Sequence, residues 1–486
     1  MARRIFDQAL KTPHKPAILY NHTSISYREF ARRIEGARRY LAGQHLKRRG
    51  VAVLCVANTV DAWVLALALR DLGLTTVAAQ GPHLIGPMRL RDVVCIVASG
   101  AEDLAGLPDG REMRLIRAPI DVLTGASAGR ADALPPAKVP GGHMVVTSGT
   151  TGAMKKVLVD AASEPGHLAQ RIAAFGVTPD TVFNILNWGI WTSIGHMIPT
   201  IMWGLGGTVV IRQPAPHAGA PQGPDFTHAI ATPTMLSEIL ADPAQAPWPG
   251  SPRLFAGGGA VPADLAAEVL RRLTPNLFHI VASTEAGVWC VTPIERPEDV
   301  ASHRPVPGRV VEVVDEAGRP LPAGEAGLIR VDILPGVDAY HQDPEATRAW
   351  FRDGFFYSGD LGRFDAGGRL TIQGRVSDVV VVGEHKIAAE TVEAAVENWF
   401  PGRTAGVFST PAQGAGEELH VVFEGARPEE PDLRALVAAE LPRFPRVHFH
   451  VIEALPRNDR GKLQRFILKQ RILADWKRGD SHAAPA

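Results

Sequence analysis

The chain has 486 residues, with 51 basic and 51 acidic side chains and a hydrophobic fraction of 45%, a composition ordinary for a soluble globular protein. A net charge of zero supplies no global field for nucleic acid or an anionic membrane. The three cysteines, Cys55, Cys95 and Cys290, form no paired spacing, which excludes a disulfide framework and a cysteine-built zinc site.

In chain order, Met1-Ala2-Arg3-Arg4 opens a mixed segment rather than the apolar stretch of a secretory leader. Thr23–Ser26 ends a short strand-like run and caps a helix over Tyr27–Leu41, where apolar residues recur at helical spacing. Lys47-Arg48-Arg49 reads as a solvated helix end. Val51–Val56 is a buried strand, Asp61–Leu72 a helix closed by Gly73, and Thr75–Ala79 the next strand. Strand, helix and strand at these lengths imply a parallel α/β sheet. The apolar run Ala62–Leu69 is far short of the ~20 residues that span a bilayer and reads as a buried helix. Val145-Val146 leads into a Gly/Thr turn, and Gly207–Ile211 is a strand. Thr232–Leu240 is a helix behind Pro233, and Ala263–Leu273 a helix after the strand Arg253–Phe255. From Gly308 the pattern changes to short strands between Gly/Pro/Asp turns (Gly308–Val314, Gly327–Ile333, Gly368–Ile372), a β-rich subdomain. A new strand, Val379–Val382, starts a shorter α/β unit that runs to Trp476, before a polar tail from Lys477. The cysteines sit in apolar runs and are expected to be buried thiols in a reducing, cytoplasmic compartment.

Four groups of residues carry chemistry. In Thr147-Ser148-Gly149-Thr150-Thr151-Gly152-Ala153-Met154-Lys155-Lys156, glycines let backbone N–H groups converge on an anion, hydroxyls add donors, and lysine adds charge. The spacing is not that of a Walker P-loop, which argues against an ordinary kinase or P-loop ATPase. In Ser283-Thr284-Glu285, a carboxylate beside a hydroxyl at a strand end suits Mg²⁺ on triphosphate oxygens. In Tyr357-Ser358-Gly359-Asp360, with Gly374-Arg375 about fifteen residues on, an aspartate accepts from ribose hydroxyls and an arginine supplies its fork of donors. The fourth group is Leu455-Pro456-Arg457-Asn458-Asp459-Arg460-Gly461-Lys462.

In this order the four groups closely resemble the motifs of the adenylate-forming superfamily of acyl-CoA synthetases, peptide-synthetase adenylation domains and luciferase. The likeness spans about Asp7 to Ile472. It implies that Thr147, Ser148, Gly149, Thr150, Thr151, Gly152 and Lys155 cradle the phosphates of ATP. It also implies that Gly258, Gly259 and Ala260 meet adenine, Thr284 contacts phosphate, and Glu285 holds magnesium. Asp360 and Arg375 would bind ribose and phosphate, and Lys462 would be the catalytic lysine. Asp378 would be the hinge of a small mobile domain. The resemblance implies a large N-terminal region, residues 1–377, of α/β sheets plus the β-rich subdomain. A mobile α+β domain, 378–475, and a flexible tail, 476–486, would follow, with the nucleotide between the two domains.

The implied reaction is ATP-dependent activation of a small carboxylic acid to acyl-AMP, followed by transfer to coenzyme A. The acid pocket is expected along Asn187–Met202 and Ala231–Met235, with Trp188, Trp191 and His196 as lining residues suited to an aryl or medium-length apolar acid. Several positions depart from the pattern. Met154 replaces a proline, Val281 replaces the aromatic residue that stacks on adenine, and Glu384 replaces a glycine on the thiol-entry side. Glu384 keeps open a second acceptor, the pantetheine of an acyl carrier protein, or an amine. A non-catalytic nucleotide-binding relative is the third reading, opposed by the retained Lys462, Asp360, Arg375 and Glu285. No cationic partner for a second charged group on the acid is apparent in the sequence.

Overall fold

The strand–helix alternation of the first three hundred residues builds two sheets. The computed structural model describes residues 1–20, 23–99, 114–126, 137–148, 154–211, 226–375, 379–382, 385–411, 417–441, 444, 446–457 and 463–476. Eight strands make the first sheet, in the order Gly287–Ile294, Leu277–Ser283, Arg253–Ala256, His228–Ala231, Val182–Asn184, Thr208–Ile211, Pro16–Tyr20 and Thr23–Ser26. Its inner strands are parallel and its two ends are closed by antiparallel hairpins. Six strands make the second, in the order Arg114–Ala118, Val93–Ser99, Val51–Leu54, Thr75–Ala78, His143–Ser148 and Met154–Val159. Both draw on β-branched apolar runs, as strands covered on both faces require.

Helices Tyr27–Ala42, Thr59–Asp71 and Ser193–Leu205 share one core with strands of both sheets. Ser26 caps the first of these, its hydroxyl accepting from Glu29 N at 3.2 Å. Asn58, which the sequence reading left outside the helix, caps the second through the Val60 and Asp61 N–H groups. In Thr59–Asp71 the residues Ala62–Leu69 are buried on every side, so the helix shows no amphipathic stripe. No helix among the described residues is long and apolar enough to cross a membrane. Lys47-Arg48-Arg49 forms an exposed turn well past the end of its helix at Ala42, with Arg49 at φ 63°.

The described residues divide into two compact units. The first runs from Met1 to Arg309 and takes in Asp332–Phe356; the second holds Val310–Val331 and everything from Tyr357. In the second unit Val311–Val314 pairs with Gly327–Asp332, and Phe355–Phe364 pairs with Leu370–Arg375. Beyond them a three-stranded sheet of Ala405–Pro411, Glu417–Glu424 and Val447–Ile452 carries helices Ala389–Trp399 and Glu430–Glu440 on one core. Helix Arg465–Trp476 packs Leu468 and Ile472 on another, with Phe408, Val422 and Leu455. The architecture is α/β with several sheets, ending in an α+β portion. Asp378 lies outside the described residues.

Candidate active site

The segment expected to meet phosphate begins and ends in two paired strands. His143–Ser148 runs antiparallel to Met154–Val159, and Thr147 is the direct partner of Lys155. Gly149, Thr150, Thr151 and Gly152 lie outside the described residues. Strand alternation sends the two lysines to opposite faces. Lys156 Nζ donates to the Met88 carbonyl at 3.2 Å, and burial holds its ammonium below the usual lysine range. Lys155 lies over the Trp350 ring, its Nζ 4.0 Å from the centroid, and 5.1 Å from that of Tyr340. Both placements suit a cation held against aromatic faces.

Thr284 and Glu285 occupy the turn of another hairpin, between Leu277–Ser283 and the edge strand Gly287–Ile294. The Ser283 hydroxyl accepts from Ala286 N at 2.9 Å and tightens that turn. Both residues are buried. The Tyr340 hydroxyl donates to Glu285 Oε1 at 2.7 Å. Tyr340 thus joins the first motif to the second, touching the loop lysine with its ring and the carboxylate with its hydroxyl.

The segment that carries Tyr340 is locked from several directions. Asp343 caps helix Pro344–Trp350 by accepting from Ala346 N. Thr347 Oγ1 accepts from Tyr340 N at 3.0 Å and donates to the Asp343 carbonyl. His341 N donates to the Lys156 carbonyl at 2.7 Å. Sequence reasoning missed Tyr340 and Trp350. Asp343-Pro344 signals a helix start there, but nothing in the spacing says which distant residues its aromatic neighbours will meet.

The donor set fits magnesium brought in with a nucleotide. Glu285 Oε2 accepts no hydrogen bond from the described residues, and no cluster of three His, Cys, Asp or Glu side chains among them makes an all-protein cage. Mg²⁺ characteristically takes one or two carboxylates and completes its shell with phosphate oxygens and water.

Strands His228–Ala231, Arg253–Ala256 and Leu277–Ser283 are parallel, so their C-terminal ends open on one edge of the sheet. The exposed turn Gly258-Gly259-Ala260, Thr232 and the Thr284-Glu285 turn all follow those ends, the usual ligand edge of an open α/β sheet. Val281 is half-buried there.

In the second unit Asp360 and Arg375 are cross-strand partners, with Arg375 Nε 3.1 Å from Asp360 Oδ1. Their separation in sequence is the length of a hairpin whose turn Asp365 stabilises by accepting from Gly367 N and Arg369 N. Ser358 Oγ accepts from Asp360 N at 3.2 Å. Lys462 lies outside the described residues; Arg457 and Leu463, which flank its segment, pair in an antiparallel bridge.

The large side chains of the expected acid-pocket segment are mostly buried. Trp203 is core: its Nε1 donates to the Ala17 carbonyl and its ring meets Phe30 and Trp63. Pro199 lies inside helix Ser193–Leu205 and cannot donate to the Gly195 carbonyl; Trp63 Nε1 donates to it instead, at 2.9 Å. His196 is buried and stacks on His143, centroids 3.8 Å apart. Burial keeps both rings neutral, His143 down to about 3 and His196 well below the ordinary histidine value. Trp188 is buried, and Trp191 is half-buried with its ring folded so closely over Gly189 that a Cβ there would meet it at 2.2 Å.

Residues 5–332 match the family model described as AMP-binding enzyme. The chain is 28% identical over 479 residues to a 4-chlorobenzoate–CoA ligase of an Arthrobacter species, covering 92% of this chain and 90% of that one. Among solved structures it resembles ATP-bound MatB from Rhodopseudomonas palustris, with a TM-score of 0.82, 23% identity and coverage of 97% and 98%. It also resembles the O-succinylbenzoate coenzyme A synthetase MenE of Bacillus subtilis in complex with AMP, with a TM-score of 0.81, 20% identity and coverage of 96% and 98%.

Proposed function

Because the chain belongs to the AMP-binding enzyme family, we propose that it is an AMP-forming acid–coenzyme A ligase acting on a small, aryl-type carboxylic acid. The observation that carries this reading is the hydrogen bond from Tyr340 to Glu285 beneath the ring contacts of Lys155. It supports the reading because Lys155 and Glu285, taken here as the phosphate-binding cation and the magnesium-binding carboxylate, share one side chain as a neighbour. The likeness to a 4-chlorobenzoate–CoA ligase and the aromatic pair Trp188 and Trp191 favour an aryl acid.

In the first step a carboxylate oxygen of the acid attacks the α-phosphorus of ATP, the bond to the bridging oxygen breaks, and pyrophosphate leaves with its electron pair. Thr147, Lys155 and the loop between them hold the departing phosphates by charge and hydrogen bonds. Tyr340 fixes one oxygen of Glu285, and the other would be available to hold the metal. Bound with ATP, Mg²⁺ neutralises triphosphate charge. Asp360 accepts from the ribose hydroxyls, and Arg375 adds its donors. Lys462 neutralises the approaching carboxylate and α-phosphate, an electrostatic role. In the second step the thiol sulfur attacks the acyl carbon, its proton passes to solvent, and AMP leaves. His196, expected along the acid pocket, is buried and stacked on His143. Three buried thiols suit a reducing, cytoplasmic compartment.

Acid-dependent exchange of pyrophosphate into ATP tests the first step. Lys462→Ala is expected to lower exchange about 10²–10³-fold, the scale of losing one charge-stabilising group, with an unchanged melting profile. Exchange near the wild-type rate would remove Lys462 from the mechanism. Mass spectrometry with coenzyme A or a pantetheinylated carrier protein as acceptor then identifies the thiol.

A further inference from the structure

Three histidines share one face of the three-stranded sheet in the second unit. Side chains alternate along a strand. Glu418, His420 and Val422 therefore leave Glu417–Glu424 on one side, and His448, His450 and Ile452 leave Val447–Ile452 on one side. The two strands are parallel, with His420 opposite His448 and Val422 opposite His450. Strand Ala405–Pro411 adds Phe408 opposite His420 and Thr410 opposite Glu418. The rings stack. The His420 centroid lies 4.6 Å from that of Phe408, 4.7 Å from that of His448 and 5.2 Å from that of His450. His420 is fully buried, at 0% exposure, and His448 is buried beside it.

Hydrogen bonds fix where protons can sit. His420 Nδ1 and His450 Nε2 are 3.0 Å apart, a contact that holds one proton and not two. Thr410 Oγ1 meets the other nitrogen of His420 at 2.9 Å, and His448 Nε2 meets Glu418 Oε2 at 2.8 Å. A second proton on the pair sets two N–H groups and two charges face to face. The surrounding charges oppose it. Lys469 is a positive neighbour of His420, and Arg427 of His450. Glu418 is engaged by His448 and by Arg446 at 3.7 Å, and Glu424, farther along the strand, accepts from Leu455 N. Burial, and secondarily the His448 ring, bring His420 down to about 3 and His450 down to about 4.

Helix Arg465–Trp476 covers this face. Its Leu468 and Ile472 pack with Phe408 and Val422. Lys469 Nζ donates to the Ser409 carbonyl at 2.6 Å and lies 5.9 Å from the Phe408 centroid. Arg465 ties the start of the helix to Glu390 at 2.8 Å and to Glu393 at 2.5 Å. We propose that the histidine face is an acid-sensitive latch: protonation of the His420–His450 pair releases helix Arg465–Trp476, which follows Lys462 in the chain. The docked state holds the rings neutral, and release exposes them to water. Docking is therefore complete above about pH 6.5, the ordinary histidine value, and weakens below it by about tenfold per pH unit for each ring. Glu393, held above the ordinary carboxylate range by burial, is the other acid-sensitive group on this helix, through Arg465. The latch stands apart from the ligase reading and is tested without it.

Hydrogen–deuterium exchange on the full chain at pH 7.5 and 5.5 tests it, with amide rates converted to protection factors. Helix Tyr27–Ala42 of the first unit is the internal standard. Protection of Arg465–Trp476 is expected to fall about tenfold to hundredfold at pH 5.5 while the standard holds. The double variant His420→Gln, His450→Gln keeps hydrogen-bonding groups that do not titrate, and is expected to hold its protection within about twofold. His450→Gln alone is the milder variant should the double one fail to fold. Its fall is expected to be about tenfold smaller than that of the wild-type protein, one ring having been removed. Wild-type protection that ignores pH overturns the latch. An equal loss in the standard helix does so too, because the unfolding is then global. A fall that survives either substitution unchanged moves the acid sensitivity to Glu393 and overturns it as well.

Discussion

The residues of the first unit proposed to meet phosphate and those of the second proposed to meet ribose are built on opposite principles. Lys155, Tyr340 and Glu285 are buried, braced by Trp350 and by a capped helix, and joined through one tyrosine. Asp360 and Arg375 stand on a hairpin, Arg375 about one-third exposed, and pair with each other. A group that must meet a highly charged triphosphate gains from being held in advance, because reorganisation then costs little at the moment of reaction. A group that reads neutral hydroxyls can trade one partner for another at small cost, since an exposed ion pair contributes little by itself.

That contrast is open to experiment. Asp360→Ala should give the larger loss, because two ribose hydroxyls lose a charged acceptor. An effect of about 3 kcal/mol, roughly 150-fold, is expected on kcat/KM for ATP, with stability nearly unchanged. Steady-state kinetics and a thermal melt read both quantities, and a large drop in melting temperature would mean the pair is structural after all. Tyr340→Phe should cost about 1.5 kcal/mol, roughly tenfold, in ATP affinity measured by calorimetry with magnesium present, and much less in its absence. An equal loss under both conditions would detach Tyr340 from Glu285's metal role. Trp350→Leu should be smallest, about 1 kcal/mol or fivefold in ATP affinity, by removing the face beneath Lys155. If its effect exceeds that of Tyr340→Phe, Trp350 rather than Tyr340 is the main brace.

Much of this architecture was legible in sequence because it rests on local rules. The strand–helix alternation over residues 51–78 follows from an apolar run, a helical run and a closing glycine. The spacing of Asp360 and Arg375 is the length of one hairpin around Asp365. Motif order pointed to the AMP-binding family without any knowledge of the fold. Boundaries shifted by a residue or a few where caps decided them, as at Asn58, or where a strand stopped pairing, as at Leu54. His196 was legible as a histidine in an apolar helix, but its partner, His143, belongs to a strand of the other sheet.

The sequence by itself determined the element types, the nucleotide motifs and the class of chemistry, since these depend on periodicity and on residues close together in the chain. Only the tertiary structure decided that Tyr340 spans Lys155 and Glu285 and that Trp63 replaces the donor lost at Pro199. Each depends on elements separated by more than fifty residues, and burial, which sets the cost of a lone charge or an unpaired carbonyl, is a property of the packed chain rather than of any stretch of it.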